Sequence, residues 1–168
     1  LFVPGDFKGE GADTGVTIMI SAVVLTWNSA PYIERCLRSL VADAHHTGIE
    51  MELFAINGGS SDGTPEILSR LAREIPALRT IQLRKNLGRT ASRNIAIRRS
   101  QGEYILVLDS DTEALPGALS VLCKALEAAP RAGIAAPRLL YPEGSVQPSC
   151  KRFPTAPLKV CKFAPILL

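Results

Sequence analysis

The chain has 168 residues, 46% of them hydrophobic, with 19 Lys and Arg against 16 Asp and Glu. That length supports one core and one domain. A net charge of +3 with 5% aromatic content argues against a nucleic-acid partner, which asks for a basic surface and stacking rings.

In chain order, residues 1–16 form an irregular lead-in, rich in Gly and Asp near its middle. The chain begins at Leu1 rather than Met, so it is expected to start inside a longer protein. Thr17 to Thr26 is rich in β-branched residues and reads as a buried strand. Trp27 to Ala30 breaks it, and a helix is expected from about Pro31, with Ile33, Cys36, Leu37, Leu40 and Val41 on one apolar face. His45 and His46 close that helix as a polar last turn. Glu50 to Ile56 is a second strand, running into the glycine-rich loop 57–63. Thr64 is the expected N-cap of the next helix and Pro65 its first residue, with Leu68, Leu71, Ala72 and Ile75 as the buried stripe.

Arg79 to Leu83 is a short third strand, Asn86-Leu87-Gly88 a turn, and a basic helix follows to about Arg99. Tyr104 to Leu108 is the fourth strand. A helix entered at Pro116 carries Leu119, Leu122, Cys123 and Leu126. Residues 133–136 predict a fifth strand, and 138–141 with 146–150 a hairpin; an irregular tail, 151–168, ends the chain. Strands alternating with helices predict an α/β fold: a Rossmann-like, mostly parallel sheet with helices on both faces, spanning residues 17–150.

The four cysteines, Cys36, Cys123, Cys150 and Cys161, show no C-x-x-C spacing, so neither a zinc knuckle nor a redox motif is suggested. They read as reduced thiols of a cytoplasmic protein. The longest nearly apolar stretch, Val16 to Trp27, is too short to span a bilayer and lacks a basic front end. Peripheral association with the inner face of the membrane is left to regions outside this sequence.

Asp109-Ser110-Asp111, directly after an apolar strand, is the most informative feature. In an extended backbone, side chains at i and i+2 point the same way, roughly 6.5–7 Å apart. Two carboxylates so placed can grip Mg²⁺ or Mn²⁺, hard cations that are often shared with a diphosphate. In parallel sheets, ligands sit outside the carboxyl ends of the strands. Three loops fall on that edge: 27–30, 57–63 and 109–111. The loop at 57–63 reads either as a turn needing glycine or as a bed for a nucleoside; it is neither a P-loop nor a dinucleotide fingerprint. Arg84, Lys85, Arg89, Arg93, Arg98 and Arg99 read first as a solvated face. Arg89 and Arg93 are four apart and share a side, which brings Arg93 toward phosphate or sugar if the helix start faces the site.

Taken together, these blocks resemble family 2 glycosyltransferases. The stretch 23–40 looks like their opening strand and helix, Gly59-Ser-Ser-Asp-Gly-Thr64 their second block, and Asn86-Leu-Gly88 with Ala91-Ser-Arg-Asn94 their third. Gly102 to Asp111 resembles their metal-binding block, and Pro137 to Ser149 the bacterial branch that includes rhamnosyltransferases. The likeness spans about residues 17–155. It implies a GT-A fold and an inverting transfer of sugar from a nucleoside-diphosphate donor to a glycan or lipid-linked acceptor. By the same resemblance, Thr26, Trp27 and Asn28 would line the base pocket, and Asn57 and Gly58 would face the nucleoside. Asp109 and Asp111, flanking Ser110, would hold the metal and diphosphate, and Arg93 would border the donor site.

Two departures stand out. The family usually carries Asp where this chain has Asn57, which offers an amide oxygen without charge. Trp27 replaces a frequent Tyr, keeping a stacking surface while moving its polar group. Family members also continue well past the metal block, so the carboxylate that deprotonates the acceptor is expected beyond Leu168. Asp62 and Glu113 are acidic and near the expected edge, but read as structural. Two further readings stay open: a catalytically inactive nucleotide-sugar-binding fragment, and a nucleotidyltransferase, whose glycine-rich entry motif is missing here.

Overall fold

The structure, a computed structural model, describes residues 18–149. The lead-in, the tail and Cys150 and Cys161 lie outside the described residues. Two compact units are present, one through Ala136 and one from Pro137. The first runs β1 (Met19–Thr26), α1 (Ile33–Thr47), β2 (Glu50–Asn57), α2 (Thr64–Glu74), β3 (Leu78–Gln82), α3 (Arg89–Ile97), β4 (Tyr104–Asp109) and α4 (Ala118–Glu127). These four strands pair in parallel, in the order β3-β2-β1-β4. The α/β architecture with helices on both faces is therefore present.

Alternation along each strand divides the core. Ile20, Ala22, Val24, Leu53, Ala55, Tyr104 and Leu106 face one side, where they meet Leu37 and Leu40 of α1, Leu68 and Leu71 of α2, and Leu119 and Leu122 of α4. Val23, Phe54, Ile56 and Ile105 face the other side, against Ala96 of α3. Odd-numbered residues of β4 belong to the α3 side, so Asp109 leaves the strand toward α3.

Several local expectations need correction. Helix α1 starts at Ile33; Pro31 lies in the preceding turn, where the N–H groups of Tyr32 and Ile33 both donate to the Ser29 carbonyl. Thr64 is not the N-cap of α2 but its first residue; Gly63 caps it without a side-chain bond. The Thr64 hydroxyl accepts the Ser29 N–H (2.9 Å) instead, and the Asp62 carboxylate accepts the Thr64 N–H (3.1 Å). The fifth strand expected at 133–136 is reduced, among the described residues, to a bridge position at Ile134, which is exposed. Among the described residues the hairpin shrinks to one antiparallel bridge, Leu140 to Val146, closed by the Tyr141 N–H on the Ser145 carbonyl and the Gln147 N–H on the Leu139 carbonyl. Pro142 and Pro148 break the ladder on either side, and Leu140, Tyr141 and Val146 stay exposed.

At the lower edge of the sheet, Gly102 lies so close to β1 that a Cβ there would stand 2.5 Å from the Ser21 backbone nitrogen. Helices α1 and α2 are joined by a four-member ion network. Glu34 takes Arg38 at 2.9 Å and Arg70 at 2.6 Å; Glu74 takes the same two arginines at 2.5 and 3.3 Å. Hydrogen bonding from Arg70, then Arg38, pulls the Glu34 carboxyl down to about 2. A depressed folded value adds stability above the ordinary carboxylate range and loses it as pH falls through the folded value. Glu34→Gln should therefore lower the thermal midpoint slightly at pH 7, the pairs being exposed. That deficit should close between pH 5 and pH 2, as thermal unfolding monitored by circular dichroism will read.

Candidate functional site

Equal strand register brings three loops to one level. Thr26 sits beside Asn57, and Leu25 beside both Ile56 and Asp109, so β1, β2 and β4 all end on one rim. The order β3-β2-β1-β4 puts the switch point between β1 and β4, where parallel sheets open a crevice. A cleft of about 380 Å³ opens there.

Trp27, Asn28 and Gly58 form one part of its wall, and Asp109, Ser110 and Asp111 another. Sequence reasoning named these six. Of the other expected residues, Thr26 is buried beneath the rim with its hydroxyl unpaired. Asn57 is 1% exposed and turned into its own loop: its Oδ1 accepts both the N–H (3.0 Å) and the hydroxyl (2.6 Å) of Ser60, and its amide donates to Gln82 Oε1 (2.9 Å). Arg93 stands behind Asp109, with Nη2 2.5 Å from Oδ1. Its Nε is buried without a partner.

The start of α3 supplies lining residues to which sequence reasoning gave no role in the site. Asn86, Gly88 and Arg89 line the cleft, and α3 has no side-chain N-cap bond. Gly88 takes φ +80°, easy for glycine only, and the Asn86 side chain accepts its N–H (2.8 Å). Tyr32, half exposed, closes the other side. The signals were present in the asparagine-glycine turn, but no spacing rule says that it folds against the carboxylates.

The loops are cross-linked before any ligand arrives. Asn28, at φ +50°, donates its N–H to Ser60 Oγ (2.8 Å) and accepts the Ser61 N–H on its side chain (2.9 Å). Asp62 reaches from the second loop to the Ala30 N–H (3.0 Å). The Thr64 side chain first, then the N–H groups of Ala30 and Thr64, hold the Asp62 carboxyl below the ordinary range. Ser110 donates to Ser29 (2.8 Å), tying the carboxylate turn to the first loop. Asp62 is thus structural, as its sequence context suggested.

The carboxylates meet by a different geometry from the one expected. β4 stops at Asp109, and the Thr112 N–H closes a turn on the Asp109 carbonyl (3.2 Å). Asp109 and Asp111 are therefore not two positions of one extended strand, yet both line the cleft. A polar seam on α1 holds this turn and the segment after it. The Cys36 thiol lies 3.8 Å from the Asp109 carbonyl, Ser39 Oγ accepts the Ala114 N–H (2.9 Å), and Arg35 pairs with Glu113 (3.1 Å). Buried Asp43 accepts the N–H groups of Gly117 (2.5 Å) and Leu119 (2.8 Å), capping α4 from outside. Burial first, then the nearby carboxylates of Asp111 and Glu113, pushes the Cys36 thiol up to about 12. It is an inert group that helps seat the turn.

Among the described residues, no three His, Cys, Asp or Glu side chains gather as a metal cluster. Two carboxylates in an open cleft still suit a hard cation that draws its remaining oxygens from water and phosphate. Asp109 Oδ1 is engaged by Arg93, which leaves Asp111 and the second oxygen of Asp109 as donors.

Residues 21–156 match the family described as "Glycosyl transferase family 2". The chain is 28% identical over 151 residues to an N-acetylglucosaminyl-diphospho-decaprenol L-rhamnosyltransferase of Mycobacterium tuberculosis, covering 83% of this chain and 47% of that protein. The chain spans less than half the length of the curated relatives it matches first. Among solved structures, S. aureus TarS residues 1–349 in complex with UDP-GlcNAc match with 28% identity and a TM-score of 0.57, over 66% of this chain and 32% of that one. The mannosyltransferase PcManGT from Pyrobaculum calidifontis, in complex with GDP-Man and Mn²⁺, matches with 25% identity and a TM-score of 0.59, over 67% and 33%.

The α1 seam makes a direct expectation. Asp43→Ala leaves two backbone donors of α4 without their charged acceptor and should cost about 2–3 kcal/mol of unfolding free energy. Asp43→Asn, with one acceptor oxygen left, should fall between, as urea denaturation will measure.

Proposed function

The chain belongs to glycosyltransferase family 2, and from that premise we propose that it forms the donor-binding part of an inverting, metal-assisted transferase. The sugar comes from a nucleoside-diphosphate donor and passes to a glycan or lipid-linked acceptor of bacterial cell-wall or polysaccharide synthesis. The observation that supports this best is the meeting of two carboxylates, Trp27 and the uncapped start of α3 in one cleft.

Each part has a physical task. Trp27, 56% exposed on the rim, offers a flat face for a base. Gly58 lets the nucleoside approach backbone. The N–H groups at the start of α3, with Arg89 on the same wall, suit phosphate oxygens. Asp109 and Asp111 would hold Mg²⁺ or Mn²⁺. Such an ion supplies charge stabilisation for the departing diphosphate, which gains negative charge as the glycosidic bond breaks. Arg93 sets the Asp109 carboxylate and neutralises it in the free cleft. Ser110 anchors the turn through Ser29 rather than meeting the donor alone. With Asn57 enclosed by Ser60 and Gln82, base recognition falls to Trp27, Asn28 and the Gly58 backbone.

A second reading is an inactive nucleotide-sugar-binding fragment. It is favoured by the cleft's acidic lining among the described residues, which is Asp109 and Asp111 alone. Both are committed to the cation, so neither is free to serve as the acceptor's general base. Among the described residues no helix is long and apolar enough to cross a membrane.

Calorimetric titration of UDP and GDP with and without Mn²⁺ tests the site. Binding should need the metal, and Asp109→Asn and Asp111→Asn should each weaken it about tenfold or more, ~1.4 kcal/mol. Equal affinity in both variants removes the cation site. Donor hydrolysis by the chain decides between the transferase and the inactive fragment.

A further inference from the structure

Charge is segregated along this chain in a way that the donor site uses only in part. Between Glu74 and Glu103 stand 28 residues with seven Lys and Arg and no acidic residue, leaving 12 basic against 16 acidic for the rest. Arg79 and Arg93 have partners in Glu52 and Asp109. Arg84, Lys85, Arg89, Arg98 and Arg99 are exposed and have no ion pair among the described residues. By contrast, Arg35, Arg38 and Arg70, on the α1–α2 side, are each held by a glutamate.

The five unpaired cations follow the β3–α3 layer. Arg84 and Lys85 lie beside the donor loop, for a Cβ at Gly59, itself at φ +81°, would stand 3.2 Å from the Lys85 Cα. Arg89 opens α3 on the cleft wall, and Arg98 and Arg99 follow its last turn. Nine helical residues separate the two ends by about 13 Å. A band of this length exceeds what one diphosphate can meet. Between Lys85 and Arg89, Leu87 is 44% exposed, an apolar side chain among cations. The segment has no aromatic residue, which removes the stacking surface that single-stranded nucleic acid uses.

We propose that the β3–α3 band, Arg84, Lys85, Arg98 and Arg99 with Leu87 near its rim end, docks on an anionic lipid surface and brings the cleft alongside it. The choice of lipid over a soluble polyanion rests on the lipid-linked acceptor proposed above; the charge segregation stands without it. Cations attracted to acidic headgroups, with one apolar side chain among them, give a salt-sensitive contact.

The test is co-sedimentation of the whole chain with vesicles of phosphatidylcholine alone or with 30% phosphatidylglycerol. Binding should require phosphatidylglycerol and be lost in 0.5 M NaCl. Reversal of all four, Arg84→Glu, Lys85→Glu, Arg98→Glu and Arg99→Glu, should reduce it at least tenfold, and Arg98→Glu with Arg99→Glu alone part of the way. Arg73→Glu with Lys124→Glu, exposed positions on α2 and α4, should bind as the wild type does. Equal binding to neutral vesicles, equal loss in the Arg73 and Lys124 variant, or retention on polyglutamate but not on vesicles would each overturn the proposal. Circular dichroism should be unchanged in all the variants, and the UDP–Mn²⁺ titration unchanged in Arg98→Glu with Arg99→Glu and in Arg73→Glu with Lys124→Glu. If that titration fails in the wild type while vesicle binding follows the pattern, the donor reading falls and the surface remains.

Discussion

Everything at the site depends on the parallel register of β1 with its two neighbours. Thr26 pairs with Asn57 and Leu25 with Asp109, so the chain leaves the sheet three times at the same height. A shift of one residue would turn the strand faces over and carry Asp109 from the α3 side to the opposite one. The hydrophobic alternation that separates Ile20, Ala22 and Val24 from Val23 enforces that register, because each face has its own helices to meet. The cleft is thus a consequence of core packing, and its carboxylates stand where they do because apolar residues below them cannot be moved.

Above the rim, backbone hydrogen bonding takes over from packing. The three loops carry few apolar side chains, and their N–H groups need partners. Ser60, Asp62, Thr64 and Asn28 supply those partners across the loops, not within them. This explains why so many small polar residues follow β2, and why Gly59 is required where the loop touches Lys85. It also explains Asn57. A side chain at the end of a central strand, 1% exposed, serves the loop's own donors before it can serve a ligand.

Most of the fold was legible because its signals are periodic. The stripes of α1 and α2, the strand lengths and their alternation all follow from spacing, and the observed element bounds differ by a residue or two. The site was legible only as a place. Trp27, Gly58, Asp109 and Asp111 sit at strand ends, and the strand-end rule finds them. Partners at long sequence separation escaped: Asp43 capping α4 from 74 residues away, Ser29 meeting Ser110 across 81, Thr64 serving Ser29 across 35. A capping rule reads only neighbours in sequence, so Thr64 looked like a local cap. The residues 133–136 misled for the opposite reason: a short apolar run resembles a strand, yet only Ile134 is a bridge residue there, and no named strand forms among the described residues.

Charge balance in the cleft narrows what can enter it. Asp109 and Asp111 face Arg89 on the wall and Arg93 behind, so the free cleft has two negative and two positive groups close together. An anion entering alone would gain from Arg89 and the start of α3 but would also approach Asp111, which no arginine neutralises among the described residues. A bare cation would gain from Asp111 but compete with Arg93 for Asp109. Only a ligand bringing both signs, with its anion toward α3 and its cation toward the carboxylate turn, leaves neither set of fixed charges uncompensated. A nucleoside diphosphate chelating a divalent ion has that polarity.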